Sequence, residues 1–312
     1  MRGVLPCVFL AMTAGAALAQ AVNVQDRAQL LGNQSPFATD PYAADVNGVD
    51  QTHRAVTTPN DPDIGEQEIL KRIERYQPFI ASVAMPFYYT SNVALVRRGE
   101  KGDFVLAPVA GFTYAPRITQ TFFGEITVQD QQFYYNKYDV FDFGSFDIRV
   151  GGTYLLPQVH NLILRAQYDY NRLNSRDSFD SFFEDHSIFF SAELPFRFGR
   201  AQQLSVGLDT ALSFAATPDL PQRNEFDLYA GYNVNISRSL ALGAVGRIFI
   251  RDYYHGDRTD VSELLAVSAN WRITRWLTAT ALTEFAWSDS NHDVFDYEVA
   301  NIGGAVALTW RF

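Results

Sequence analysis

From Phe79 onward, apolar and polar residues alternate with a period of two. Leu162, Leu164, Ala166, Tyr168 and Tyr170 interleave with Ile163, Arg165, Gln167, Asp169 and Asn171. Phe226, Leu228, Ala230, Tyr232, Val234 and Ile236 interleave with Asp227, Tyr229, Gly231, Asn233 and Asn235, and Val267, Ala269, Trp271 and Ile273 with Ser268, Asn270 and Arg272. Successive side chains of a strand point to opposite faces, so these runs predict ribbons with one apolar and one polar side. Twelve segments of about 10 residues, centred near 83, 109, 123, 149, 166, 192, 208, 230, 245, 267, 282 and 305, have the length of a tilted strand crossing a bilayer.

The connections sort by length. Short turns are predicted at 115–118, 156–160, 199–202, 237–239 and 274–276, and longer charged loops at about 90–103, 130–143, 171–186, 215–224, 252–261 and 288–296. Short and long alternate along the chain. A soluble sandwich has no reason to sort its loops this way, whereas a membrane barrel threaded from one side does. Ile236-Ser237-Arg238-Ser239-Leu240 and Ile273-Thr274-Arg275-Trp276-Leu277 repeat one turn pattern 37 residues apart, the length of one hairpin unit. An open sheet edge in hydrocarbon would leave backbone groups unpaired at several kcal/mol each, so the sheet must close. The predicted fold is all-β: a closed antiparallel transmembrane β-barrel of about 12 strands over 79–312, with short periplasmic turns and longer extracellular loops.

The chain before the barrel is different material. Residues 1–19 read as a signal peptide: Arg2, an apolar stretch short of the ~20 residues that span a bilayer, and Ala17-Leu18-Ala19 as the cleavage site. Residues 20–78 read as a flexible periplasmic lead, polar and broken by Pro36, Pro41, Pro59 and Pro62. One short helix is predicted at about 62–76, capped by Asp61, with Ile69, Leu70, Ile73 and Tyr76 on one face. It suits a linker packed at the barrel mouth; a plug inside the lumen is the other placement.

Composition narrows the class. The sole cysteine, Cys7, lies in the signal segment, so the exported chain carries no disulfide, thiolate metal site or cysteine nucleophile. A net charge of −10 without clustered cations excludes a phosphate-binding surface, and no nucleic-acid partner is expected. A mean hydropathy of −0.11 excludes a helical membrane bundle but not a barrel, whose two faces average out.

The C-terminus carries a more specific signal. In the final run, Ile302, Val306, Leu308, Trp310 and Phe312 share one face, and Asn301, Gly303, Ala305, Thr309 and Arg311 the other. This resembles the last strand of Gram-negative outer-membrane β-barrel proteins, in general shape those of the porin-type families. Asn301, Gly303, Val306 and Leu308 match that family's barrel-assembly signal position by position, with Trp310 on the same strand face and Phe312 as the terminal aromatic. The resemblance implies residence in the bacterial outer membrane after export, and contact with the barrel-assembly machinery during biogenesis. It names no cargo.

Alternation places fourteen charges on the inner face: Glu125, Asp147, Arg149, Arg165, Asp169, Glu193, Arg197, Asp209, Asp227, Arg247, Arg251, Arg272, Glu284 and Arg311, seven acidic and seven basic. Such facing charges suit a water-filled, porin-like channel for a small or polymeric polar solute; the same residues could instead fill a narrow barrel with ion pairs. Twelve strands give a lumen between the filled small barrels and the open large porins. A second function class is a non-conducting interaction barrel whose acidic, aromatic outer loops bind a surface partner or glycan. Tyr134, Tyr135, Phe182 and Phe183 are assigned instead to the outer aromatic girdle, against lipid and lipopolysaccharide. A third class is an outer-rim hydrolase using His186, His255 or His292 beside acids. The paired residues of known barrel hydrolases are missing, so no enzyme is expected. His255, Asp257 and Asp260 match no recognised ligand loop, and no metal or cofactor is expected. About sixty residues before the barrel leave no room for an autotransporter passenger.

Overall fold

The period-two runs become strands that close on themselves. The computed structural model describes residues 24–30, 76–176, 180–199 and 201–312. The signal peptide expected over 1–19, and all but the last residue of the helix expected over 62–76, lie outside these residues. The strands are β1 (Phe79–Thr90), β2 (Asp103–Leu106), β3 (Val109–Tyr114), β4 (Phe122–Tyr135), β5 (Phe143–Leu156), β6 (Leu162–Ser175) and β7 (Ser181–Phe198). They continue as β8 (Gln202–Thr217), β9 (Arg223–Asn235), β10 (Leu240–Tyr253), β11 (Thr259–Arg272), β12 (Leu277–Ser290) and β13 (Tyr297–Arg311). Neighbours in sequence pair antiparallel, except that β2 and β3 both lie between β1 and β4, and β13 pairs back onto β1 from Ile80↔Arg311 to Thr90↔Asn301. The result is a closed antiparallel barrel of twelve strands with one extra segment. No helix among the described residues is long and apolar enough to cross a membrane.

The extra segment is a proline interruption. β2 and β3 run between β1 and β4 in one continuous register, since Phe87↔Leu106 and Ala84↔Val109 fall on the same diagonal. Only Ala107 and Pro108 separate them, and Pro108 has no N–H to give the ladder. Ala107 still donates to the Pro86 carbonyl at 2.9 Å, and Gln132 to the Pro108 carbonyl at 2.9 Å.

The strands outrun the predicted lengths: β1 has 12 residues and β7 has 18. Their outer ends climb into stretches read as loops, such as Ser181–His186 and Arg223–Asn224. In water beyond the bilayer neither face must be apolar, so the ladder continues where the alternation signal fades. The described outer connections reduce to 91–102, 136–142, 218–222, 254–258 and 291–296, besides the one after Ser175.

The repeated turn has a common geometry. Ile236 and Ser237 N–H both donate to the Leu240 carbonyl, and the Ser237 hydroxyl accepts from the N–H groups of Ser239 and Leu240. Ile273, Thr274, Trp276 and Leu277 reproduce it with the Thr274 hydroxyl. A third copy, unnoticed in the sequence, is Ile118-Thr119-Gln120-Thr121-Phe122. It moves the first tight turn from the expected 115–118 to 118–122. A hydroxyl two to three residues before the closing amides satisfies backbone donors the turn would otherwise leave unpaired.

Outward-pointing side chains form an apolar belt: Phe226 and Leu228 on β9, Val261, Leu265 and Val267 on β11, and Ile302 and Val306 on β13 are all exposed. Inside, the wall is not uniformly polar. Val245, Leu264, Ala266, Leu282, Ala286 and Val299 make an apolar lining on β10–β13.

The barrel lumen as candidate functional site

Residues 24–30 form a short helix, α1, inside the barrel, within the stretch that the sequence reads as an irregular lead. Seven residues cannot sustain a helix alone in water, so tertiary contacts must hold it. Val24 is packed with Tyr88, Val105, Phe133, Phe143, Leu173 and Phe183, and Leu30 with Leu95, Phe249, Tyr297 and Val299. Asp26 and Gln29, three apart, share the helix face that meets β9 and β10. Arg223 Nη1 donates to Asp26 Oδ1 at 2.7 Å and to the Tyr253 hydroxyl at 2.8 Å. Arg251 Nη2 donates to Gln29 Oε1 at 2.7 Å, while Gln29 Nε2 donates to Glu225 Oε2 at 2.8 Å. Arg251 Nε lies 3.7 Å from Asp26 Oδ1, and Arg258 is hydrogen-bonded to Asp260. Burial alone would push the Asp26 carboxyl up; Arg223, Arg251 and Arg258 outweigh it and hold its pKa below the ordinary aspartate value.

Two outer loops roof this seat with one motif. Asp139-Val140-Phe141-Asp142 and Asp293-Val294-Phe295-Asp296 each begin with a 3₁₀ turn. Asp142 accepts from the Tyr135 N–H at 2.7 Å and Asp296 from the Ser290 N–H at 2.8 Å. Each Asp also takes a loop arginine, Arg176 and Arg97 respectively. The motif aims Phe141 at Arg27 (4.7 Å) and Phe295 at Arg258 (3.4 Å), both cation–π contacts.

Beside α1 lies a polar cavity of about 420 Å³. Its walls carry Arg149, Arg165, Arg223 and Arg247 against Asp147, Asp169, Asp209, Glu225 and Asp227, with the amides of Gln25, Gln29, Gln129, Gln131, Gln167 and Asn171. Arg247 Nη1 donates to Asp227 Oδ2 at 2.6 Å, and its guanidinium lies over the Tyr229 ring at 4.9 Å. Asn171 donates to Asp147 at 2.8 Å and to Ser145 at 2.9 Å. Tyr229 lies flat over Gly207, where a Cβ would meet the ring; any larger residue at 207 would push the ring further into the lumen.

Of the charges expected to line a channel, Asp147, Arg149, Arg165, Asp169, Asp209, Asp227 and Arg247 meet in this cavity. Glu125 is buried with Thr127 at 3.1 Å, Glu284 with Asn301 at 3.1 Å, and Glu193 takes the Tyr229 hydroxyl at 3.3 Å. Arg251 belongs to the α1 seat. Arg197 and Arg272 are exposed at the short-turn end, outside the cavity. Arg223 escaped the sequence reading because it fell in an assumed loop, and Glu225 because it lay between that loop and Phe226, where the alternating run begins. The parity of Arg223, Glu225, Asp227 and Tyr229 already marks them as one face. Asp26 gave no such signal, since nothing local ties it to a guanidinium almost two hundred residues away.

The girdle assignment needs correction. Tyr135 and Phe183 are buried and point inward toward Val24, and Phe182 packs partly against the same cluster. Adjacent strand residues face opposite ways, so Tyr134–Tyr135 and Phe182–Phe183 could not all face lipid. Among the histidines, His186 sits outside the barrel, its Nδ1 2.7 Å from the Tyr168 hydroxyl and its ring 4.9 Å from that of Tyr170. His255 lies 3.5 Å from Asp219, both exposed, and Asp260 is taken by Arg258, so the structure does not gather His255, Asp257 and Asp260 into one site.

The geometry defines a β-barrel of the kind built by outer-membrane porins and channels. No family model matches the chain, and no curated protein does. Among solved structures, it is similar to an outer-membrane channel from Pseudomonas putida F1, with a TM-score of 0.53 at 9% identity, over 75% of this chain and 96% of that one. The translocator domain of the autotransporter NalP from Neisseria meningitidis follows at 0.45 and 10% identity, over 77% and 90%. The outer-membrane channel DcaP of Acinetobacter baumannii gives 0.43 at 7% identity, over 74% and 96%. At these identities the likeness is one of fold.

Proposed function

We propose that this protein resides in the bacterial outer membrane and acts as a channel for a small polar solute. The observation that carries this reading is the cavity of about 420 Å³ inside a closed barrel, lined by four arginines and five carboxylates. A bulk water occupies roughly 30 Å³, so the space holds on the order of ten waters, far more than structural bridging needs. Fixed charges of both signs in one wet lumen orient a polar solute without demanding a bare ion. The exposed apolar belt favours lipid contact, and β13 offers Asn301, Gly303, Val306, Leu308, Trp310 and Phe312 to the assembly machinery. The chain is read as a transporter and not an enzyme: the histidines and their neighbouring acids do not converge on the cavity. Purified protein in planar bilayers is expected to give discrete conductance steps. Intact, heat-modifiable barrels that give none at any voltage would overturn the channel.

A further inference from the structure

The seat of α1 is built on guanidiniums. The wall that meets Asp26 presents Arg223, bonded to its carboxylate at 2.7 Å, and Arg251, 3.7 Å from it. The wall's own carboxylate there is Glu225, bonded to Arg223 at 2.6 Å, while Arg258 is paired with Asp260 at 2.9 Å. Asp26 adds a second negative charge against the two guanidiniums. With α1 seated, the side chains of Arg223 and Arg251 are 4% and 1% exposed, so the helix carboxylate, and not bulk water, meets their charge. A buried cation without its counter-charge is costly, and a guanidinium offers donors in a fixed fork matched to a carboxylate.

We infer that Arg223 and Arg251 form a binding site for the carboxylate of a small solute, and that Asp26 occupies it in cis when α1 is seated. The inference rests on the channel reading and deepens it: the solute class is a polar molecule bearing a carboxylate, and its binding competes with the helix. A tethered carboxylate acts at an effective concentration in the millimolar range, so solute binds weakly until the helix is displaced. The Gln129, Gln131 and Gln167 amides of the barrel wall suit the hydroxyl groups such a solute would carry. Val24 and Leu30 fix the helix position without touching the charge balance, so the cis occupant can be removed in two independent ways.

The test uses the full chain, with gluconate as probe and glucose as its uncharged counterpart. By titration calorimetry, Asp26→Asn is expected to bind gluconate at least ten-fold tighter than the unaltered protein, with no gain for glucose. Val24→Ser with Leu30→Ser unseats the helix and leaves Asp26 intact; it should give the same gain, which covers failure of the first variant to fold. Adding Arg251→Gln to either should abolish the gain. Heat-modifiable variants that bind gluconate no better than the original, or that gain equally for glucose, would overturn the receptor. Gluconate binding without conductance would leave the receptor standing and sink the channel. Conductance indifferent to gluconate and to Arg251→Gln would do the reverse.

Discussion

Asp26 shows how a single residue couples the chain's start to its barrel. Its carboxyl is buried against Arg223 and Arg251 and lies in the field of Arg258 and Glu225. Removing one partner of such a buried set costs about 3–5 kcal/mol, enough to release a helix this short. The folded pKa lies below the unfolded value of about 3.9, so the ionised Asp26 stabilises the seat above that pH and loses its hold as pH falls through the lower folded value. A fluorophore on Gln25→Cys, placed in a Cys7→Ser background so that it labels one site, should keep high anisotropy down to about pH 4 and lose it only below. Release near pH 6 would contradict the ion-pair seat. Residue identity was legible wherever parity applied, as at Arg149, Arg165, Asp169 and Arg247. It was not legible for Asp26, whose partners are decided by packing alone.

At the scale of elements, the closing strand is the test case. β13 pairs with β12 on one side and β1 on the other, so it completes the ring. Phe79 and Phe312 exchange backbone bonds at 3.1 and 3.0 Å and stack at 5.7 Å, with Tyr114 stacked on Phe79 at 4.8 Å. Gly303 lies opposite Tyr88, whose ring covers it: a Cβ there would come within 2.7 Å of Cδ1. The assembly pattern thus sits on residues that also make the seam. Phe312→Ala removes a stacked ring worth about 0.5–1.5 kcal/mol. It should lower the amount of heat-modifiable barrel recovered from outer membranes, and an unchanged yield would remove Phe312 from both roles. The paired Asp-Val-Phe-Asp roofs and the third hydroxyl turn were also written in the sequence. They were overlooked because their repeats are four or five residues long and lie outside the alternating runs.

The whole molecule is a closed hydrogen-bonded ring with an apolar exterior, in which each strand is paired on both sides, so the barrel is expected to resist detergent at room temperature. Unboiled and boiled samples should therefore migrate differently on SDS gels, and far-ultraviolet circular dichroism should show a β spectrum. Identical migration with a mainly helical spectrum would reject the barrel. The ring also sets the limits of the functional reading. Its diameter follows from strand number and stagger, but the free space depends on what the lumen contains. Here α1 and the inward-folded Val93 and Leu95 occupy part of it, and the polar cavity is what remains.

The sequence by itself determined the strand class, the strand count, the lipid-facing stripe and the alternation of turn ends. Each of these is a local pattern with a fixed period, imposed by the pleat and the bilayer. Tertiary structure decided the interior. Which seven predicted charges share a cavity, why Arg197 and Arg272 stay outside it, and where α1 docks all depend on strand stagger and on contacts between residues distant in sequence. Those interactions leave no periodic trace along the chain, because their energy arises only once the barrel has closed and water has been excluded around them.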